Sequence, residues 1–303
     1  MTNGGTQGTG DRETVHQPVM LAEVLEHLAL KPEGLYVDAT VGGAGHSQAL
    51  LSGLGAGGRL IGIDRDQEAL EAAQLRLHDV RCTFVRGRFS ALEELLAPEV
   101  KGRVDGVLMD FGISMMQMKG TGRGMSFLSQ EPLDMRMDLT SALTAAEIVN
   151  EWPEVELARI IFEYGEERAS RRIARGIVYK RKIARIETCF ELAETVTRSL
   201  GGRKGSRVHP ATRTFQALRM AVNDEIEEVK RGLVAASHVM APGGRLVTIA
   251  YHSLEDREVK LYFRGAAKEG RMEIITKKPL RPTLAEVRAN PSSRSACLRC
   301  VEV

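Results

Sequence analysis

One ten-residue stretch, Val37-Asp38-Ala39-Thr40-Val41-Gly42-Gly43-Ala44-Gly45-His46, constrains this chain more than any other. The apolar run Leu35 to Val37 ends there in an aspartate, and a glycine-dense turn follows. Glycines let the backbone bend sharply and approach a ligand closely, and the run beyond His46 opens a helix whose first N–H groups have no partner inside it. Such a strand, turn and helix suit a nucleotide-type ligand, although a plain connection uses glycine as well.

The next segment extends the pattern. Arg59-Leu60-Ile61-Gly62-Ile63 reads as a second strand and ends in Asp64, before a helix rich in Ala, Leu and Glu. An acidic residue at that strand end is suited to accept hydrogen bonds from the ribose hydroxyls of a nucleoside cofactor, and NAD and S-adenosylmethionine both meet the description. Cys82 to Val85 reads as a third strand, with Phe89 shortly after it, where an aromatic ring either packs in the core or meets an adenine. Val104 to Met109 makes a fourth, ending in Asp110. Three acidic strand ends, Asp38, Asp64 and Asp110, crowd negative charge into one crevice, which favours a cofactor carrying a sulfonium and an amino group over one carrying a pyrophosphate.

After Ser114 the alternation of strand and helix stops for roughly ninety residues, far beyond the usual connection in such a sheet. Thr144-Ala-Ala-Glu147 and Thr188-Cys-Phe-Glu191 read as capping boxes, and Trp152-Pro153-Glu154 as a helix start. The fold expected is therefore α/β: a doubly wound, mostly parallel, Rossmann-like sheet with an inserted all-helical domain. Residues 16–118 and 209–303 form the sheet domain, 119–208 the insert, and the glycine-rich residues 1–15 a disordered tail. Before strand one, Val19 to Leu28 reads as a helix with Pro18 in its first turn. Phe215, Leu218, Val222, Ile226, Val229 and Leu233 predict one long helix after the insert. Leu246 to Ala250 is strand five, and Met272 to Thr276 with Ala296 to Val301 closes the sheet as an antiparallel hairpin.

The near-neutral total, +2, hides a local asymmetry: Arg168 to Arg185 holds basic residues and no acidic one. A block so one-sided points to a polyanion. Four cysteines are too few for a disulfide scaffold and suit a reducing cytoplasm. Cys297-Leu-Arg-Cys300 has metal-ligand spacing, but an offset of three in a strand turns the two side chains to opposite faces, and no metal is expected. His252 and Ser253 follow strand five directly, and without a Gly-x-Ser-x-Gly elbow they do not make a hydrolase. No apolar run reaches the length of about 18 residues that a membrane span needs.

Together the motifs Gly42-Gly43-Ala44-Gly45-His46-Ser47, Asp64-Arg65-Asp66, Asp110-Phe111-Gly112-Ile113-Ser114, Pro132-Leu133-Asp134-Met135-Arg136-Met137-Asp138, Tyr164-Gly165-Glu166-Glu167-Arg168, His209-Pro210-Ala211-Thr212-Arg213-Thr214-Phe215-Gln216 and His252-Ser253-Leu254-Glu255-Asp256-Arg257 resemble the bacterial 16S ribosomal RNA N4-cytosine methyltransferases. The resemblance runs from about His16 to Arg299 and implies a cytoplasmic enzyme that uses S-adenosylmethionine. It implies cofactor contacts by Ala44, Gly45, His46, Asp64, Phe89, Asp110 and Gln117, and RNA recognition by the insert. The partner implied is 16S rRNA within the small ribosomal subunit, with neither a membrane nor DNA involved. Where the family has Ser-Pro, this chain has Met115-Met116. Asp110 is the catalytic candidate, because an acceptor must align the weakly nucleophilic N4 amine, and His252 and Ser253 are secondary candidates. A nicotinamide dehydrogenase leaves the basic insert unexplained, and a non-catalytic RNA-binding protein leaves the cofactor crevice unexplained.

Overall fold

The computed structural model describes residues 18–114, 122–127, 129–202 and 208–303. The glycine-rich tail, Met115-Met116 and Gln117 lie outside them. Seven strands, β1 (Leu35–Asp38), β2 (Arg59–Asp64), β3 (Cys82–Arg86), β4 (Val104–Asp110), β5 (Met240–Ala250), β6 (Glu273–Ile274) and β7 (Cys297–Glu302), form one sheet in the order 3-2-1-4-5-7-6. β1 to β5 pair in parallel, and β7 runs antiparallel to both β5 and β6. The order reverses between β1 and β4, and at such a switch point the strand ends leave a crevice.

Side-chain alternation assigns the two faces. Val37, Val107, Met109, Leu246 and Val301 join one apolar cluster, while Tyr36, Leu108, Val247, Ile249 and Leu298 join the cluster on the other side. The cysteines of β7 follow the same rule: Cys297 belongs to the first cluster and Cys300 to the second, so they cannot share a metal. The helix α1 (Leu21–Leu28) buries Val24 and Leu28 in the second cluster. It begins later than the sequence suggests, because Met20 turns left-handed at φ 53°, and Pro18 therefore precedes the helix instead of sitting in its first turn. α2 (Gly45–Gly53), α3 (Gln67–Arg76) and the short α4 (Leu92–Leu95) complete the first half.

Between β4 and β5 the described residues 122–127 and 129–143 are irregular, and helices follow: α5 (Ala145–Glu151), α6 (Glu154–Glu163), α7 (Ser170–Ile183), α8 (Cys189–Ser199) and α9 (Thr212–Asn223). Both expected capping boxes are formed, Thr144 with Glu147 and Thr188 with Glu191, so two backbone donors at each helix start are satisfied by one side-chain exchange. These helices share their own core, built on Ile148, Leu157, Ile160, Ile173, Ile177, Leu192 and Val196.

The long helix expected over Phe215 to Leu233 is two helices. Asp224 stands at φ 53° and ends α9 at Asn223, and α10 (Glu225–Val239) begins immediately after it. Phe215, Leu218 and Val222 pack into the helical core, whereas Val229 and Leu233 pack under the sheet. The boundary expected at residue 209 places all of these side chains in the sheet domain. α11 (Ser253–Lys268) and α12 (Leu284–Ala289) finish the chain before β7. Among the described residues no helix is long and apolar enough to cross a membrane.

Candidate active site

A cavity of about 890 Å³ opens at the carboxyl ends of β1, β2, β4 and β5, in the range that small-molecule sites occupy. The sheet forms its floor, and Met125, Phe127, Thr212, Phe215, Gln216 and Arg219 of the helical segment form a facing wall. Its first edge is the glycine turn, where Gly42 takes φ 48°, a conformation that side chains disfavour, and where an added Cβ would come within 3.3 Å of Ser114.

The three strand-end aspartates divide by role. Asp38 is fully buried and turned inward, accepting the Ser47 hydroxyl at 2.5 Å and the Thr40 N–H at 3.2 Å. It braces the turn and does not line the cavity, so the crevice has two strand-end carboxylates and not three. Asp64 does line the cavity; one oxygen accepts the Gly42 N–H and the other the Asp66 N–H, both at 2.9 Å. Each oxygen keeps a lone pair, so two ribose hydroxyls can still be received. Burial pushes the Asp64 carboxyl up, against the two backbone donors.

Asp110 is the third. Its N–H donates to Thr40 Oγ1 at 2.7 Å, which ties β4 to the glycine turn. Burial raises its carboxyl to about 6, opposed by His46 and by a hydrogen bond from Tyr251. Its Oδ2 lies 3.6 Å from His46 Nδ1, and its buried Oδ1 has no partner among the described residues. A buried carboxylate oxygen without a hydrogen-bond donor is a costly arrangement. His46 is itself fixed, because its Nε2 lies 2.9 Å from the Val19 carbonyl, which can only accept. Tyr251, which lines the cavity, has its hydroxyl pushed up by burial and by Asp110.

The remaining expected residues separate. Gly45 and His46 line the cavity, but Ala44 is fully buried at φ 59° and supports the turn through its N–H to the Val41 carbonyl at 2.7 Å. Phe89 lines the cavity and packs 5.8 Å from Phe111, backed so closely by α10 that a Cβ on Gly232 would fall 2.3 Å from its ring. His252 lines the cavity and caps α11 in a box with Glu255. Ser253, one residue on, does not line it: the hydroxyl donates to Glu166 at 2.7 Å on the exposed side. Gln117 lies outside the described residues.

Sequence reasoning missed Tyr251, Arg219, Glu225 and Glu255. Glu255 was visible as the fourth residue of a capping box, although the usual Ser or Thr is replaced by His252. Burial works against its charge, but the His252 side chain and the Tyr251 N–H hold it below the usual carboxylate range. Glu225, His252 and Glu255 bring three ligand-type atoms within 4.8 Å of one another. Arg219 donates to Glu225 at 2.8 and 2.9 Å, so a guanidinium already meets one carboxylate of the group.

A strained glycine turn, an acidic acceptor pair at β2, an aromatic beside it and an orphan carboxylate oxygen at β4 suit an adenosyl group with a positively charged tail. The fold and the site define an S-adenosylmethionine-dependent methyltransferase. The model of the MraW methylase family matches residues 13–303, and the chain belongs to that family. It is 47% identical over 306 residues to the ribosomal RNA small subunit methyltransferase H of Symbiobacterium thermophilum, across 94% of this chain and 96% of that one. The Heliobacterium mobile protein of the same name is 44% identical, across 95% and 98%. Among solved structures, an rRNA methylase from Streptococcus thermophilus aligns with TM-score 0.44 and 12% identity, covering 95% of this chain and 97% of that one.

Exchange of Asp64 for Ala is expected to weaken cofactor binding by about 1.5–3 kcal/mol, the loss of a charged acceptor for two hydroxyls. Calorimetric titration of the folded variant measures it, and an unchanged affinity would remove the ribose from Asp64.

Proposed function

We propose that this enzyme transfers a methyl group from S-adenosylmethionine to the exocyclic N4 of a cytidine in the decoding region of 16S ribosomal RNA. The observation that carries the reading is the Asp110 carboxylate at the end of β4, which lines the cavity and has one buried oxygen, Oδ1, without a partner among the described residues. The family and the names of the relatives support rRNA of the small subunit as the substrate. The cofactor, when bound, supplies an electrophilic methyl group on a sulfonium. The amine at N4 is a poor nucleophile because its lone pair is delocalised into the ring. Asp110 accepts a hydrogen bond from that amine, turns its lone pair toward the methyl, and receives the proton that N4 sheds as the new bond forms. Phe127 and Phe215, set edge to face at 6.0 Å on the opposite wall, offer an apolar surface for a base displayed outside a helix. Arg219, Glu225, Glu255 and His252 hold one another in the cavity and keep its polar side fixed. Incubation of small subunits or naked 16S rRNA with the enzyme and cofactor, followed by nucleoside mass spectrometry, tests the reading: N4-methylcytidine is expected, and its absence from both substrates would refute it.

The helical segment is the proposed RNA-docking surface, with α7 at its centre. Arg168, Arg171, Arg172, Arg175 and Lys182 are exposed, with Tyr179 69% exposed among them. Part of the basic block is committed elsewhere: Arg185 pairs with Glu151 at 2.7 Å, and Arg181 donates to the Val149 carbonyl. Arg171 and Arg172 make no ion pair among the described residues. Replacing both with Ala is expected to lower the salt dependence of RNA binding by up to about two phosphate contacts while leaving cofactor affinity unchanged. An unmoved slope of log affinity against log salt would reduce the block to a solvated face.

A further inference from the structure

Five carboxylates line the cavity, those of Asp64, Asp110, Glu225, Glu228 and Glu255, and five arginines stand among them. Four of the arginines are committed. Arg65 donates to the Asn223 carbonyl at 3.2 Å, and Arg76 to the Gly43 carbonyl at 2.8 Å. Arg88 pairs with Glu228 at 3.2 Å, and Arg219 pairs with Glu225. The fifth, Arg294, has no hydrogen bond or ion pair among the described residues, although it lines the same cavity.

The topology explains how a residue so late in the chain arrives there. β7 runs antiparallel, so the segment that enters it begins at the edge where the parallel strands end. Cys297 is the register partner of Ala250, the residue just before Tyr251, and Arg294 lies three positions ahead of Cys297. The backbone around it is fixed. Ser293 is fully buried with its hydroxyl on the Asn290 carbonyl at 2.8 Å, and Arg281 donates to the Ser295 and Ala296 carbonyls at 3.1 and 3.2 Å. A fixed turn thus presents to this cavity one guanidinium that has no hydrogen bond or ion pair among the described residues.

Both proposed ligands of this cavity carry an oxyanion: the cofactor ends in a carboxylate, and a nucleotide of RNA enters with its phosphates. Each enters a cavity that also holds five carboxylates, where a guanidinium without another partner suits it, and a guanidinium matches carboxylate and phosphate in two-pronged geometry. We propose that Arg294 is the oxyanion-binding residue of this site, receiving the carboxylate of the cofactor or the phosphate next to the target nucleotide. The proposal rests on the methyltransferase reading above.

The experiment uses the full-length protein with Arg294→Ala and Arg294→Lys; the side chain is exposed and unbonded among the described residues, so the fold is expected to persist. Binding of S-adenosylhomocysteine and of 5′-methylthioadenosine, which lacks the carboxylate, is measured by calorimetry. RNA affinity is measured by equilibrium titration against salt, which needs no turnover. If the carboxylate is the ligand, Arg294→Ala weakens S-adenosylhomocysteine about tenfold or more, leaves methylthioadenosine unchanged, and is partly rescued by Lys. If the phosphate is the ligand, both small molecules bind as before and the salt slope for RNA falls by about one. Unchanged affinities and slope would overturn the proposal. Failure of the wild type to methylate rRNA would instead overturn the substrate reading, and the binding measurements would still decide the role of Arg294.

Discussion

Methyl transfer in a single turnover, at saturating cofactor and RNA, is expected to fall by roughly 10²–10³-fold when Asp110 becomes Asn. The substitution keeps the shape of the side chain and one acceptor but removes the charge that, on the proposed reading, meets positive charge growing on the target amine and takes its proton. The fold has little reason to change, because the Asp110 backbone N–H to Thr40 is retained. The pH dependence carries a sign. Burial raises the Asp110 carboxyl to about 6, so the reactive carboxylate predominates above that value and is lost below it. The wild-type rate is expected to decline as pH is lowered through about 6, and the Asn variant to lack that limb. Single-turnover measurement separates the chemistry from binding. A near-normal rate in the variant would leave Asp110 as a cofactor ligand at most, and His252 would be the next residue to replace.

The largest expected loss of stability comes from Arg123→Ala. The Arg123 guanidinium is buried between the helical segment and the start of α3: it meets Asp66 at 2.5 and 3.1 Å, Glu68 at 2.8 Å and the Met137 carbonyl at 3.3 Å. Asp66 is buried too, and it caps α3 through the Glu68 N–H. Truncating the arginine removes the cation that pairs with a buried carboxylate, and breaking such a pair from one side costs about 3–5 kcal/mol. Trp152, the only tryptophan, packs against the helical core, so its fluorescence during chemical denaturation reports directly on that segment. A loss under about 1 kcal/mol would class the pair with ordinary surface ion pairs.

What the sequence made legible follows the physics of short-range signals. The acidic ends of β1, β2 and β4, the glycine turn and the two capping boxes are local patterns, and each appears where its residues predict. The break at Asp224 was hidden because Leu218, Val222, Ile226 and Val229 keep helical spacing straight through it, and only a backbone angle distinguishes one helix from two. Adjacent side chains were hidden in the same way. His252 and Ser253 follow one strand end, yet a helix cap points the first into the cavity and the second out toward Glu166. The inward turn of Asp38 depends on Ser47, nine residues later and a turn into the next helix. Arg294 had no local signal at all, since it reaches the cavity only through the antiparallel return of β7.

The separate core of the helical segment also bears on the order in which the chain assembles. β4 and β5 are sheet neighbours although roughly 130 residues of chain divide them, a span that a flexible connection would have to close against its own entropy. That core draws on a nearly continuous stretch of chain, Leu133 to Val222, and needs no strand pairing to form. Contacts close in sequence form before distant ones, so the helices are expected to condense early and shorten the free chain between the two strands. On that order the helical segment is expected to act as a clasp, bringing β5 back to β4 before the sheet, and with it the cavity, can close.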